Sequence, residues 1–281
     1  MKLQQEQIHE QQKQSWNKVS SGWKKWDHFI MEFLRPMGNA IIDKLEIKED
    51  DIVLDIAAGT GEPGLTIAVI AKNGKVVGTD LADEMLRLAD ASAVAKGLKN
   101  YSTQTADVSK LPFEDNTFTK ISCRMGFMFF PDIQLAANEM YRVLKPGGRV
   151  AISVWSAPDK NFWYTAAMGT IKKYIDQPVA PPDAPGMFRC SKPGLMSNVL
   201  AQAGFNHTGE DEMTGKVDFV DAATYWQNRT DISESFIAML AKVDDATKVA
   251  IQNEVYALIN ANSVNGWALL DYGAITIYGE K

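Results

Sequence analysis

The sequence of 281 residues predicts an α/β protein with a doubly wound, seven-stranded, mostly parallel sheet. From Asp50 onward, short β-branched runs alternate with amphipathic helical stretches, which is the pattern of successive βαβ units. The first run, "DIVLDI", leads directly into three glycines with the spacing G-x-G-x-x-G. After a long irregular region, the run "AITIYGE" at residues 274–280 returns the chain to the sheet.

The first half of the chain divides into a helical lid and the core of the sheet. Residues 1–35 are predicted to be helical, with Trp16, Trp23 and Trp26 on the apolar side of an otherwise polar segment. Residues 36–155 are predicted to form the core. Its strands are expected at 51–56, 75–80, near 102–106, at 119–124 and at 149–155, and its helices at 62–72, around 85–89 and at 132–144. The sequence "LKPGG" ends the last helix, because proline and glycine do not continue it.

Residues 156–281 are predicted to complete the same compact domain and to add two cap insertions. The first insertion, near 156–190, is rich in proline and is expected to be a loop with one helix. A helix at about 192–203, an extended segment to about 219 and a mostly helical stretch at 221–262 follow. The second insertion is placed near 221–265. Both insertions are expected to cover the carboxyl edge of the sheet.

Composition and charge exclude several classes of function. A formal net charge of -6 argues against nucleic-acid binding, which requires a basic surface. Cys123 and Cys190 are the only cysteines, and no Cys/His cluster predicts a metal site. The polar start "MKLQQEQIHEQQKQ" is not a signal peptide, and no apolar run is long enough to span a membrane. A cytoplasmic monomer or homodimer is therefore expected.

Two carboxylates near the glycine loop "AAGTGEPG" (57–64) indicate its ligand. In open α/β sheets, ligands bind beyond the carboxyl ends of the strands. Asp55 ends the first strand and is expected to point into this crevice, where it would repel a pyrophosphate and attract an amino group. Asp80 ends the second strand, where a carboxylate can accept both hydroxyls of a ribose. One cofactor combines an adenosine ribose, an ammonium group and no phosphate: S-adenosylmethionine.

The array D-x-A-A-G-T-G resembles the class I S-adenosylmethionine-dependent methyltransferases, which share a Rossmann-like fold. The blocks "TADVSKLPFEDNTF", "ISCRMGFMFFPD" and "LKPGGRVAISVW" resemble the subgroup of the ubiquinone and menaquinone C-methyltransferases. Together the motifs cover residues 50–155. The segment "WNKVSSGWKKWDHF" is similar to the leader helix of that subgroup, but Trp23 and Trp26 stand where those enzymes usually carry a tyrosine motif. Their quinone substrate is therefore not transferred to this chain.

The resemblance implies which residues contact the cofactor. Asp55, Ala57 and Gly59 would lie along its methionine moiety, Asp80 would hold the ribose, and Leu81 would pack on the adenine. The edge of the base would meet the residues that follow the third strand. The full implied set is Asp55, Ala57, Gly59, Thr60, Gly61, Asp80, Leu81, Asp107, Val108, Arg124 and Met125.

The methyl acceptor is predicted to be a small, apolar or aromatic organic molecule. The acidic balance and the absence of an asparagine-proline-proline-aromatic motif after the fourth strand argue against nucleic acid. Methyl transfer from a sulfonium is an in-line displacement that requires alignment and exclusion of water more than acid–base chemistry. Among the histidines, His28 is the candidate base. The predicted pocket residues are Trp23, Trp26, Phe129, Trp163 and Tyr164.

Alternative interpretations remain open from the sequence. The same glycine array serves NAD(P)-dependent oxidoreductases, although a carboxylate directly before the glycines argues against a dinucleotide. A catalytically inactive protein that binds S-adenosylmethionine would carry the same motifs. At single positions, Asp80 could cap a helix and Arg124 could pair with a surface carboxylate. The tryptophans of the lid could serve only to dock it.

Overall fold

The computed structural model describes residues 2–176, 181 and 183–281. Its centre is a seven-stranded sheet with the order β3-β2-β1-β4-β5-β7-β6, in which β7 runs opposite to the other six strands. The predicted doubly wound, mostly parallel sheet is thereby confirmed. The strands are β1 (Ile52–Ile56), β2 (Lys75–Asp80), β3 (Tyr101–Thr105), β4 (Phe118–Arg124), β5 (Leu144–Trp155), β6 (Asn206–Asp218) and β7 (Leu269–Glu280).

Helices pack on both faces of this sheet. Because successive side chains of a strand point to opposite faces, Val53 of β1 joins one core cluster and Leu54 joins the other. In the described ranges the helices are α1 (Lys2–Lys25), α2 (Asp27–Leu45), α3 (Gly64–Ile70), α4 (Asp83–Ala95), α5 (Ile133–Val143), α6 (Phe162–Ile171), α7 (Leu195–Ala203), α8 (Ala222–Ile232), α9 (Glu234–Leu240) and α10 (Asp245–Ala261). β1 and β4 are adjacent although other elements separate them in the chain, which creates a crevice at their carboxyl ends.

The predicted boundary between lid and core, at residues 35 and 36, falls inside α2. Pro36 lacks the N–H that a helix interior normally uses, which favours a break at this point. The helix nevertheless continues, because the apolar residues on both sides of Pro36 share one buried face. These residues are Ile30, Leu34, Met37, Ile41 and Leu45. The part of the chain that precedes the core is therefore α1, and α2 belongs largely to the core.

α1 crosses α8 at very short range. A Cβ atom on Gly22 would lie 2.1 Å from the backbone oxygen of Asp231, so the two helices touch only because residue 22 has no side chain. Asp231 also accepts hydrogen bonds at its Oδ2 from Trp26 Nε1 at 2.8 Å and from Lys25 Nζ at 2.7 Å. This contact fixes the C-terminal end of α1 on the cap.

We expect Gly22→Ala to separate α1 from α8. The added methyl group favours an isolated helix by about 1 kcal/mol, but overpacking against a backbone atom costs about 1–3 kcal/mol. Limited trypsin digestion should therefore cut the lysines of α1 faster than in the wild-type protein. Ser21→Ala, a change at the exposed neighbouring position, serves as the control. Equal cleavage rates for the two variants would contradict the role of Gly22.

The segments predicted as cap insertions contain helices in the described structure. α6 lies in the first, although residues 177–180 and 182 of this insertion lie outside the described residues. The second consists of α8, α9 and α10, between β6 and β7. Within the described part of the chain, none of the helices combines the length and apolarity needed to cross a membrane.

Candidate active site

A cavity lies beyond the carboxyl ends of β1, β2 and β4, around the glycine loop. This glycine-loop cavity contains about 980 Å³ of space, including the part open to solvent. Its floor comes from the glycine loop and from the residues that follow β2, β3 and β4, and α1 covers it. Predicted cofactor residues in its wall are Ala57, Gly59, Thr60, Asp80, Leu81, Asp107, Val108, Arg124 and Met125.

Asp80 is held firmly at the edge of the cavity. Its Oδ2 accepts a hydrogen bond from Gly59 N and its Oδ1 accepts one from Ala82 N, both at 2.9 Å. Burial raises the pKa of Asp80 above its usual value, and the two backbone donors act in the opposite direction. The glycine loop and the start of α4 therefore fix the position of this carboxylate. A carboxylate oxygen accepts more than one hydrogen bond, so Asp80 retains acceptor capacity toward the cavity.

Asp107 links the cavity to α1. Its Oδ1 accepts from Ser109 N at 2.8 Å, and its Oδ2 lies 2.9 Å from Nδ1 of His9. A second contact nearby joins Lys13 Nζ to Asp83 Oδ2 at 2.6 Å. The N-terminal part of α1 is thus tied to the ends of β2 and β3, which places this helix over the cavity as a lid.

Asp55 does not occupy the position that the sequence predicted. Its side chain is fully buried beneath the glycine loop, where Oδ2 accepts from Gly64 N at 3.0 Å and Oδ1 from Ser122 Oγ at 2.6 Å. Burial raises its pKa to about 7. The carboxylate is absent from the described lining of the cavity, so the structure does not bring Asp55 to the surface where the contact with a ligand ammonium was expected. Asp55 instead holds the loop onto the start of α3.

Two non-glycine residues, each directly following a strand, adopt the left-handed backbone conformation. Ala57 follows β1 with φ +54°, and Met125 follows β4 with φ +57°. A Cβ atom on Gly126 would lie 2.4 Å from the Cβ of Ala57, so the two loops are in direct contact. Such conformations are unfavourable for residues other than glycine and are concentrated at binding sites. Here they bring both loops to the wall of the glycine-loop cavity.

A second, larger cavity adjoins the first. This aromatic cavity contains about 1780 Å³ of space, including the part open to solvent. Its far wall includes Trp155, Trp163 and Phe33, whose rings pack against each other. Among the described residues, the two cavities share Gln12, Trp16, Trp23, Leu34, Met125 and Phe129 in their walls. These shared side chains lie where the two cavities meet.

Two polar side chains from α8 stand in the wall of the aromatic cavity. Asn228 is 1% exposed and Arg229 is 2% exposed. Both amide atoms of Asn228 and the Nε of Arg229 have no hydrogen-bond partner in the part of the chain that the structure describes. The guanidinium carbon of Arg229 lies 5.2 Å from the ring centre of Trp163 and 5.5 Å from that of Tyr164.

Comparison with known proteins identifies the family. A model of the ubiE/COQ5 methyltransferase family matches residues 8–175, more than half of the chain. The chain belongs to this family. The resemblance to this family that the sequence predicted is confirmed.

Relatives within and beyond the family show how far the similarity extends. The demethylmenaquinone methyltransferase of Thermus thermophilus is 37% identical over 129 residues, which are 46% of this chain and 56% of that protein. The uncharacterized protein Rv1405c of Mycobacterium tuberculosis is 34% identical over 155 residues, 54% of each protein. This chain thus spans about half the length of the curated relatives it matches. The YcgJ protein of Bacillus subtilis shares the fold, with a TM-score of 0.58 and 21% identity over 87% of this chain and 97% of that one.

Several predicted site residues lie away from both cavities of this family member. Gly61 shapes the loop, with φ +112°, without lining either cavity. Trp26 is turned toward α8, where Asp231 accepts its N–H. His28 is exposed on α2 and lines neither cavity, so it does not suit the role of a base. Of the residues predicted for the substrate pocket, Trp163 and Tyr164 line the aromatic cavity, and Trp23 and Phe129 line both cavities.

Several polar residues of the two cavities were missed in the sequence. His9 and Glu62 line the glycine-loop cavity, and Asn228 and Arg229 line the aromatic cavity. Glu62 stands inside the glycine array itself, so its position next to a ligand could have been predicted. Tyr225, Asn228 and Arg229 share one face of a helix by their spacing, but only the structure shows that this face is buried. His9 carries no comparable signal.

Proposed function

We propose that this protein transfers a methyl group from S-adenosylmethionine to a small, apolar or aromatic organic acceptor. The observation that carries the proposal is the pair of adjoining cavities, one with polar groups suited to the cofactor and one with aromatic walls. Pockets with mostly apolar walls and a few placed polar groups are typical of small-molecule sites. Residues shared by both cavities would stand where the two reactants meet.

The polar groups of the glycine-loop cavity suit a zwitterionic nucleoside better than a dinucleotide. The carboxylates of Glu62, Asp80 and Asp107 line this cavity and would repel a pyrophosphate. Asp80 would accept hydrogen bonds from the ribose hydroxyls, as expected from its place at the end of β2. Arg124, the guanidinium in the same wall, would pair with the carboxylate of the cofactor.

The chain itself would contribute mainly alignment and a dry environment. When bound, S-adenosylmethionine would supply a methyl group activated by the positive charge of its sulfonium. Trp16, Trp23, Leu34, Met125 and Phe129 would exclude water and hold the acceptor in line for the displacement. The edge-on contact of Trp16 with Phe129, whose ring centres are 5.6 Å apart, joins the lid to the loop after β4, and Trp23 packs edge-on against Trp16 within the lid at 5.8 Å. Closure of α1 would thus complete the reaction chamber.

Calorimetric titration tests the cofactor part of this proposal. We expect S-adenosylhomocysteine to bind the full chain with a dissociation constant of about micromolar order and NADH to produce no binding heat. Binding of NADH in place of S-adenosylhomocysteine would refute the proposal. Incubation with S-adenosylmethionine labelled in its methyl group and a small-molecule extract then tests catalysis. Label in an organic-soluble product is expected, and its absence would favour an inactive cofactor-binding protein.

A further inference from the structure

Arg229 and Asn228 form a polar group in an otherwise aromatic wall. Burying a guanidinium without a counter-charge is strongly unfavourable, and so is burying an amide without partners. Arg229 nevertheless makes no salt bridge with any described residue, and its Nε and both side-chain polar atoms of Asn228 lack partners there. Proteins retain such costly arrangements mainly at functional sites. The pair therefore indicates a ligand group.

The surroundings of Arg229 offset part of this cost without using its hydrogen-bond donors. The rings of Trp163 and Tyr164, at 5.2 and 5.5 Å, attract the cation through their π faces. Asp231, the acid on the same helix, is already engaged by Lys25 and Trp26. Glu234 lines the same cavity, yet no hydrogen bond or ion pair joins it to Arg229 in the described structure. The N–H donors of the guanidinium are thus available to a ligand.

We propose that Arg229 and Asn228 bind an anionic group of the methyl acceptor whose charge lies on oxygen atoms, such as a carboxylate. The planar guanidinium presents paired N–H donors that match the two oxygens of a carboxylate or of a similar planar anion. The amide of Asn228 adds a further donor, and so does Trp23 Nε1, which is buried without a partner among the described residues. The substrate class is therefore an aromatic or polycyclic molecule with one such anionic end.

This proposal deepens the proposed function, because it takes the aromatic cavity as the acceptor site. The anion is assigned to the acceptor and not to the cofactor for a geometric reason. Arg229 lines only the aromatic cavity, whereas Arg124 lines the glycine-loop cavity and is the cation near the cofactor. The two arginines would thus serve two different anionic groups.

Binding of 2-naphthoate and 2-naphthamide to the full chain tests the assignment. The two probes share shape and aromatic area, but only 2-naphthoate carries a charge. With S-adenosylhomocysteine present, we expect calorimetry to show that the wild-type protein binds the carboxylate at least tenfold more tightly than the amide. Arg229→Met should lose this preference and keep its affinity for the amide. Glu234→Gln, a change in the same wall, should keep the preference and serves as the control.

Further readouts separate ligand binding from a structural role. Replacing an unpaired buried cation with an apolar side chain should raise the melting temperature of the ligand-free protein. A lowered melting temperature would show that Arg229 holds the cap together and would overturn the proposal, as would a preference for 2-naphthoate that survives in Arg229→Met. Arg229→Gln, which keeps a donor but no charge, should lose the preference for 2-naphthoate in the same way.

These measurements distinguish a failure of the anion subsite from a failure of the proposed function. The affinity for S-adenosylhomocysteine is measured first, in the wild-type protein and in Arg229→Met, and should be the same in both. A wild-type protein that binds this cofactor product but binds both naphthalene probes equally would overturn only the anion subsite. A wild-type protein that does not bind it at all would overturn the proposed function itself.

Discussion

Asp80→Ala is expected to raise the dissociation constant of S-adenosylhomocysteine about tenfold to hundredfold. Hydrogen bonds to a charged group contribute about 1.5–3 kcal/mol, and each 1.4 kcal/mol changes an affinity tenfold. The effect should be this large because Asp80 is held in place by Gly59 N and Ala82 N before any ligand arrives. A preorganised acceptor loses little entropy when the ligand binds. Calorimetric titration of the purified variant gives the measurement.

Two controls distinguish the loss of a ligand contact from a disordered loop. Asp90→Ala removes a carboxylate from the exposed side of α4 and should leave the affinity unchanged. Asp80→Asn keeps the size of the side chain and one of its oxygens, and should weaken binding less than alanine does. Thermal unfolding without ligand reports on the loop itself. Unchanged affinity in a folded Asp80→Ala protein would mean that the ribose lies elsewhere.

The elements of the core could be predicted from sequence because the physics that forms them is local. A strand buried on both faces, such as β1, requires a continuous apolar run, and the glycine loop after it requires glycines. Asp80 could be assigned to the cavity edge from the sequence, because a residue that ends a parallel strand lies at that edge whichever face it points to. The predicted boundary at residues 35 and 36 does not coincide with the end of a helix, because the buried apolar face of α2 continues on both sides of Pro36.

Asp55 shows how side-chain direction decides a role that position alone leaves open. Val53 and Asp55 are two residues apart on β1 and therefore point to the same face of the sheet. Val53 packs in the cluster that contains Leu65 and Ile67 of α3. Asp55 accordingly meets Gly64, at the start of α3, and does not face the crevice. The sequence shows which residues of β1 share a face of the sheet. It does not show which face α3 covers, because that depends on the path of the chain.

The buried pair in α8 could not be predicted for a different reason. In the run "TYWQNRT", polar residues on a helix near the surface would ordinarily face water. α8 instead lies against α1 at Gly22, and its inner face closes the aromatic cavity. Which side of such a weakly amphipathic helix is buried depends on the long-range contact with α1, which leaves no local pattern.

Asp55→Asn is expected to abolish a decrease of about 4 kcal/mol in the free energy of unfolding, which the wild-type protein shows as the pH rises. Burial raises the pKa of Asp55 from 3.8 to about 7, so between these values the folded protein retains a proton that the unfolded chain has released. The free energy of unfolding of the wild-type protein should therefore fall as the pH rises from about 4 to about 7. A difference of about 3 pKa units corresponds to about 4 kcal/mol. An asparagine does not titrate, and its amide can accept from Gly64 N and donate to Ser122 Oγ.

Urea unfolding of both proteins between pH 4 and pH 8 measures this difference. The stability of Asp55→Asn relative to the wild-type protein should increase as the pH rises, and contributions of other groups cancel in the comparison. Ser122→Ala removes a donor to the ionised carboxylate, so it should extend the loss of stability to higher pH. A difference in stability between Asp55→Asn and the wild-type protein that does not change with pH would contradict the raised pKa of Asp55. Because Asp55 does not line the cavity, Asp55→Asn should bind S-adenosylhomocysteine like the wild-type protein, in contrast to Asp80→Ala.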